Sequence, residues 1–202
     1  KIPVFDIGDT LFPTVRLYRR TVRQNTGLQG EEIGNFNIFD PDSSERYLGQ
    51  KGADIDGETL REDYVRNVKR YMKKNGRFRL LRESSRRFGP IGLISDNWSY
   101  AKKLYTDMFR EHSIEHQGIV ISENVGTEKP DEKIFREFLE RREEDADRFV
   151  YFGNHAERDS GAKKVGMEFV FTREYSNFGT SHEGNRIESL NLESIEKKVR
   201  EV

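Results

Sequence analysis

From Gly89 onward, four short apolar runs alternate with stretches of helical periodicity. The runs are Ile91 to Ile94, Ile119 to Ile121, Phe149 to Phe152 and Phe169 to Phe171, and the helical stretches fall near 99 to 112, 131 to 142 and 159 to 165. Apolar runs this short, bounded by turn formers, read as buried strands, and strands separated by helices pair in parallel through crossover connections. The intervening stretches carry the stripes Leu104, Tyr105, Met108, Phe109 and Ile134, Phe135, Phe138, Leu139, spaced to lie on a sheet. A further run, Ile2 to Phe5, opens the chain. The fold class expected is therefore α/β, with a parallel sheet whose first strand is far in sequence from the others.

The residues between are of another kind. Val15, Tyr18 and Val22 share one face of a helix over 14 to 26, which Gly27 can end, and the other face is basic, with Arg16, Arg19 and Arg20. Residues 28 to 57 are rich in turn formers and predict loops with at most a short helix. Asp40, Asp42, Arg46 and Tyr47 stand in that stretch as exposed loop residues, with lining of a substrate entrance as the alternative. Leu60, Tyr64, Val65, Val68, Tyr71 and Met72 form a strong helical stripe closed by Gly76, and a short helix follows over 77 to 87. The tail from Asn191, with Ile195 and Val199 one turn apart, predicts a closing helix. The organisation expected is a core from 1–13 and 89–202, interrupted by a helical module over 14–88.

Composition narrows the chemistry. The 202 residues carry a net charge of -1, which gives no reason to expect nucleic acid or an anionic membrane as partner. No window approaches the roughly 18 apolar residues of a membrane span, and no signal-peptide pattern precedes the first strand, so a soluble cytoplasmic protein is expected. Charged residues make up 35% and hydrophobic ones 34%, a heavily ionised surface over an economical core. The absence of cysteine excludes disulfides and thiolate chemistry, and four scattered histidines leave little scope for zinc. Any metal should be hard and oxygen-bound.

Four polar sites stand at strand ends, where open α/β sheets bind ligands. Asp6 and Asp9 follow the first apolar run; an Asx-turn would explain them, but Asp6 is also a candidate nucleophile. Ser95, with Asp96 and Asn97, follows Ile91 to Ile94 and offers a hydroxyl and backbone donors, or merely a helix cap. Lys129 precedes Pro130 and Asp131 at a helix start, where a cation opposes the helix dipole and calls for a compensating reason. Asn154 and Asp159 lie just beyond Phe149 to Phe152. Each has an ordinary structural explanation; together they supply a carboxylate nucleophile, a hydroxyl, a fixed cation and oxygen ligands, the parts of a phosphoryl-transfer centre.

On these residues the chain resembles the haloacid dehalogenase (HAD) superfamily. Asp6-Ile-Gly-Asp-Thr10 looks like its first motif, Ser95 its second and Lys129 its third. Gly153-Asn-His-Ala-Glu-Arg-Asp159, with Gly161-Ala162 and Gly166-Met167, looks like its fourth. The resemblance implies a Rossmann-like parallel sheet with an inserted α-helical cap. It also implies roles: Asp6 as nucleophile, Thr10 supporting the turn that presents it, and Ser95 and Lys129 holding the transferring phosphoryl oxygens. Asp96 and Asn97 would join them in binding substrate, with Arg16 contributing a cation from the cap. Magnesium would be held by Asp6, the carbonyl of Gly8, Asn154 and Asp159. The partner implied is a small phosphorylated metabolite.

Two positions depart from that pattern. Gly8 stands where phosphatases of the superfamily carry the acid that protonates the leaving group, and Asn154 stands where an acidic metal ligand is usual. Magnesium is therefore expected to bind weakly. Three readings stay open: a magnesium-assisted phosphatase working through an aspartyl-phosphate, a metal-independent 2-haloacid dehalogenase in which Asp6 attacks carbon, and a non-catalytic descendant that binds a ligand or partner.

Overall fold

The computed structural model describes residues 1–140, 142–176 and 184–201. Their strands form one sheet: β1 (Ile2–Phe5), β2 (Ile91–Ser95), β3 (His116–Ile121), β4 (Phe149–Gly153), β5 (Glu168–Thr172) and the short β6 (Arg186–Ile187). The spatial order is β3-β2-β1-β4-β5-β6, and every adjacent pair is parallel. All carboxyl ends therefore lie on one edge. The chain winds outward in opposite directions from β1, so the strand order reverses between β1 and β4, the kind of crevice in which α/β proteins bind ligands.

The helices begin where the sequence supplies caps. In chain order they are α1 (Thr14–Thr26), α2 (Pro41–Gly49), α3 (Gly57–Lys74), α4 (Arg77–Phe88), α5 (Tyr100–Glu111), the one-turn α6 (Ser122–Val125), α7 (Glu132–Leu139), the one-turn α8 (Ala156–Asp159) and α9 (Leu192–Glu201). Asp40, Asp56 and Asp131 each accept a backbone N–H at an N-terminus, and Gly27 closes α1 in the left-handed conformation that a residue with Cβ adopts at a cost. Asp40 thus caps α2, and Asp42, Arg46 and Tyr47, expected in a loop, lie within that helix. The helix expected over 131 to 142 ends at Leu139, and residue 141 lies outside the described residues.

Two compact units result: Lys1–Phe12 with Gly76–Val202, and Pro13–Asn75. The inserted module is shorter than expected, because α4 belongs with the sheet. Its face carries Phe78, Leu80 and Leu81, all buried, and its contacts include β1, β2 and α9. In the sheet unit, Ile134, Phe135 and Phe138 of α7 pack on Val4, Ile94, Phe149, Tyr151 and Phe169. Phe138 sits so close to β2 that a Cβ on Gly92 would come within 2.3 Å of its ring, which explains a glycine inside a buried strand. In the helical unit, Asn67 of α3 donates to Thr21 of α1 at 2.9 Å, and Phe39 meets Tyr64 edge-on. Among the described residues no helix is long and apolar enough to cross a membrane.

Candidate active site

Asp6, Ser95 and Asn154 stand at or just beyond the ends of β1, β2 and β4, three adjacent strands, and all are buried. Continued pairing presents Asp6: its N–H donates to the Phe152 carbonyl at 2.8 Å, carrying the β1 to β4 ladder one residue past the strand. The chain then turns sharply. The N–H of Leu11 returns to the Ile7 carbonyl at 3.0 Å, and that of Asp9 to the Phe12 carbonyl at 2.9 Å, with Asp9 held at φ 52°.

Lys129 reaches this point from the loop before α7. Its Nζ donates to Asp6 Oδ1 at 2.9 Å, to Asp159 Oδ1 at 2.6 Å and to the hydroxyl of Tyr151 at 3.1 Å, and lies 4.0 Å from Asp96 Oδ2. A buried ammonium requires such partners. Burial opposes its charge, but Asp159, Asp6 and Asp96 outweigh that effect and hold the lysine protonated well above its usual range. Asp6 fares differently, since it shares one cation with two other acids. Burial, only partly offset by Lys129 and reinforced by Asp159 and Asp96, pushes Asp6 up to about 7. The buried Tyr151 hydroxyl is pushed far above its ordinary value by burial and the same acids.

The other oxygen of Asp6 faces a polar turn. Thr10 Oγ1 donates to Asp6 Oδ2 at 3.1 Å and lies 3.1 Å from the side-chain amide of Asn154. With its nitrogen turned inward, that amide donates to the Gly8 carbonyl at 3.2 Å and to Asp6 Oδ2 at 3.2 Å. With its oxygen turned inward, the oxygens of Asn154, Gly8 and Asp6 would face one another with only the single Thr10 hydroxyl proton to share between Asp6 and Asn154. That is the environment of a hard cation, and two acids in contact with a single ammonium leave a net negative charge beside it. Asp6, the Gly8 carbonyl and Asn154 therefore fit magnesium, with the amide proton as its competitor. Among the described residues no cluster of three His, Asp or Glu side chains is placed to hold a metal.

Asp159 is placed otherwise than expected. It has no exposed surface; Oδ1 receives Lys129 and Tyr151, and Oδ2 receives the His155 N–H at 2.8 Å. In this arrangement both of its oxygens are engaged by donors, foremost the Lys129 ammonium. Gly153 makes this possible, because a Cβ there would lie 2.3 Å from Asp159 Oδ2. Asp96 and Asn97, expected to bind substrate, use their side chains within the loops. Asp96 accepts the Lys129 N–H at 3.0 Å and pairs with Arg158 at 2.8 Å, and Asn97 Oδ1 accepts the Trp98 N–H at 2.9 Å. Arg16 lies in the helical unit, exposed, with its guanidinium 3.5 Å from the Tyr71 hydroxyl of the same unit.

Two contributors escaped sequence reasoning. Tyr151 reads as one more apolar residue of a strand, although a tyrosine hydroxyl in a fully buried run always needs a partner, and that was the available signal. Arg158 reads as surface charge; it ties Asp96 to Glu128 on the far side of Lys129, at 2.8 and 2.9 Å.

The parallel sheet thus gathers a buried carboxylate, a hydroxyl and an ammonium at its switch point, where open α/β sheets bind their ligands. The chain belongs to the haloacid dehalogenase-like hydrolase family, whose model matches residues 4–172. It is 27% identical over 201 residues to the glyceraldehyde 3-phosphate phosphatase of Methanopyrus kandleri, covering 86% of this chain and 84% of that one. Among solved structures it resembles the HAD-hydrolase YfnB from Bacillus subtilis bound to magnesium, with a TM-score of 0.65 at 16% identity over 98% of each chain. It also resembles a HAD phosphatase from Thermococcus onnurineus, with a TM-score of 0.60 at 21% identity over 99% of this chain and 98% of the other.

Proposed function

We propose that this protein is a magnesium-assisted phosphomonoesterase of a small phosphorylated metabolite, acting through an aspartyl-phosphate on Asp6. The observation that carries the reading is the double restraint on Asp6: Lys129 holds Oδ1 and Thr10 holds Oδ2, aiming the carboxylate from the strand end. An oxygen of Asp6 attacks phosphorus, the bond to the leaving oxygen breaks, and water then cleaves the acyl phosphate to free the carboxylate. Lys129 and Ser95 hold the equatorial oxygens, while Asp159 and Tyr151 keep Lys129 charged and in place. Magnesium, when bound, neutralises phosphoryl charge, and Asp6, the Gly8 carbonyl and Asn154 would hold it. The unit Pro13–Asn75 is the cap in this reading, with Arg16 a candidate for its substrate contact. The phosphatase relative in Methanopyrus kandleri supports phosphorus as the electrophile.

Without an acid at Gly8, the departing oxygen receives its proton from water. Leaving groups of low basicity, such as anomeric sugar phosphates or mixed anhydrides, suit such a site. The test is phosphate release across a metabolite panel with and without chelator, beside chloride release from 2-haloacids. Magnesium-dependent phosphate release is expected; chelator-insensitive chloride release would transfer the assignment to the dehalogenase reading, which the inward amide of Asn154 favours by satisfying Asp6 Oδ2 without metal.

A second expectation concerns Asn154 itself. Asn154→Asp replaces a competing proton donor by a second anionic oxygen, and ligand charge is a main determinant of affinity for such cations. The variant should bind magnesium at least about tenfold more tightly, a change worth about 1.4 kcal/mol. Calorimetric titration of magnesium into parent and variant measures it; equal affinities would show that Asn154 does not touch the cation.

A further inference from the structure

The near-neutral net charge conceals a sharp separation of charge within the helical unit. Residues 14–26 carry Arg16, Arg19, Arg20 and Arg23 and no acid, and residues 64–75 carry Arg66, Lys69, Arg70, Lys73 and Lys74, again with no acid. Every acid of the unit lies between those segments. The two segments border each other, because Asn67 of α3 donates to Thr21 of α1 and the Arg16 guanidinium lies 5.9 Å from the centre of the Tyr71 ring. On α1 the arginines recur every three or four residues, all of them exposed, on the face opposite the buried Leu17, Thr21 and Val22. Arg66, Arg70, Lys73 and Lys74 are exposed as well.

Such a face destabilises its own helices. Like charges three or four residues apart repel, and Arg16 and Arg23 each stand at that spacing from both Arg19 and Arg20. Arg16 also occupies a first turn that holds no acid, where a cation opposes the helix dipole. Other helices avoid this: Asp107 pairs with Lys103 and Arg110 on α5, Glu132 with Arg136 on α7, and Glu196 with Arg200 on α9. By contrast, Arg19, Arg20, Arg23, Arg70, Lys73 and Lys74 have no carboxylate partner among the described residues. The dipole accounts for Arg23, Lys73 and Lys74, which stand in last turns, and for none of the others.

We infer that this face binds the phosphate backbone of a nucleic-acid duplex without regard to sequence. Exposed cations without counter-charges attract a polyanion, and the arginine fork matches phosphate oxygens. Arg16 to Arg23 spans about 10 Å of helix axis, the rise of about three phosphates along one strand, and α3 supplies a second row roughly 8–10 Å away. Other occupants fit less well. A membrane calls for apolar side chains among the cations, and Val15 is the one large apolar side chain exposed in this unit among the described residues. A single strand calls for open aromatic faces, and Tyr71 lies against Arg16. The acids of a second copy are largely engaged: Asp40 and Asp56 cap helices, Glu45 accepts the Gly57 N–H, and Glu58 and Asp63 hold arginines.

The test is fluorescence anisotropy of the full chain with short labelled DNA and RNA duplexes, made without terminal phosphates so that no monoester can occupy the catalytic site. At about 50 mM monovalent salt a micromolar dissociation constant is expected, and the logarithm of the affinity should fall against that of salt with a slope of about -3 to -5. Arg19→Glu combined with Arg20→Glu should weaken binding at least about tenfold and flatten the slope by about two, and Arg70→Glu should flatten it by about one. Both exchanges turn repulsions within a helix into attractions, so each variant should unfold at no lower temperature than the parent. Absence of binding, a slope shallower than about -1, or an affinity unmoved by both exchanges would overturn the inference. Equally tight binding to poly-glutamate or to phosphatidylserine vesicles would overturn it too, assigning the face to an acidic protein or a membrane. Phosphate release takes no part in the readout, so failure of the phosphatase reading would leave this inference standing.

Discussion

Asp6→Asn is expected to lower phosphate release by about 10⁴-fold or more, the scale seen when a covalent nucleophile is removed, because the amide cannot accept the phosphoryl group. Retention of turnover within tenfold would show that Asp6 does not attack. The same variant should be the more stable protein at neutral and alkaline pH when divalent cations are absent. Burial raises Asp6 from an ordinary 3.8 to about 7, so the folded chain holds a proton that the unfolded chain has already lost. The stability given by that proton is fully present below about pH 4 and is lost as pH rises through about 7. Asn154 and Thr10 can still meet an amide at position 6, and the variant has no buried carboxylate to ionise. Thermal unfolding followed from pH 4 to 8 should therefore show the variant drawing ahead of the parent, by about 2–4 °C for each kcal/mol in a chain of this size. A variant less stable than the parent at pH 8 would mean that the ion pair with Lys129 outweighs desolvation.

That opposition of stability and chemistry explains how much of the site was legible in the sequence. The sheet was read from its apolar runs, because strands buried on both faces tolerate little else, and α1, α3, α5 and α9 from stripes that have to face a core. Asp6, Ser95 and Asn154 were legible because each is a polar residue at the end of such a run, where burial without function would be costly, and Lys129 because a cation at a helix start opposes the helix dipole. What stayed hidden depended on contacts between distant residues. The boundary before α4 turns on which surface its Phe78 and Leu81 bury against, and a helical stripe does not name its partner. The pairing of β6 with β5 spans only Phe171 with Arg186 and Thr172 with Ile187, too short for a periodic signal. Asp159 was placed with the metal by resemblance, yet which donors an acid six residues beyond a glycine meets is decided by the path of the turn, which brings its Oδ1 to 2.6 Å from Lys129 Nζ.

The departure at position 8 carries the second large effect. Asp9 does not stand in for the missing acid by simple displacement along the chain: it occupies a left-handed turn at φ 52°, with its N–H committed to the Phe12 carbonyl, whereas the residue two beyond Asp6 would share its face in extended backbone. Gly8→Asp should therefore supply a proton donor where the leaving oxygen departs and, after the alcohol has left, a base for the water that cleaves the acyl phosphate. Positioned acid–base catalysis contributes about 10²–10⁴ in rate, and it contributes most where the leaving group is a basic alkoxide. The expected result is a gain in kcat of about 10² or more on glycerol 3-phosphate, against less than about tenfold on an aryl phosphate, whose weakly basic phenolate departs unaided. The ratio between the two substrates, rather than either rate, is the diagnostic quantity, because a general change in folding or magnesium occupancy moves both together. Equal gains would place the effect in metal binding, and no gain on the alkyl ester would mean that the parent already protonates its leaving group from elsewhere in the site.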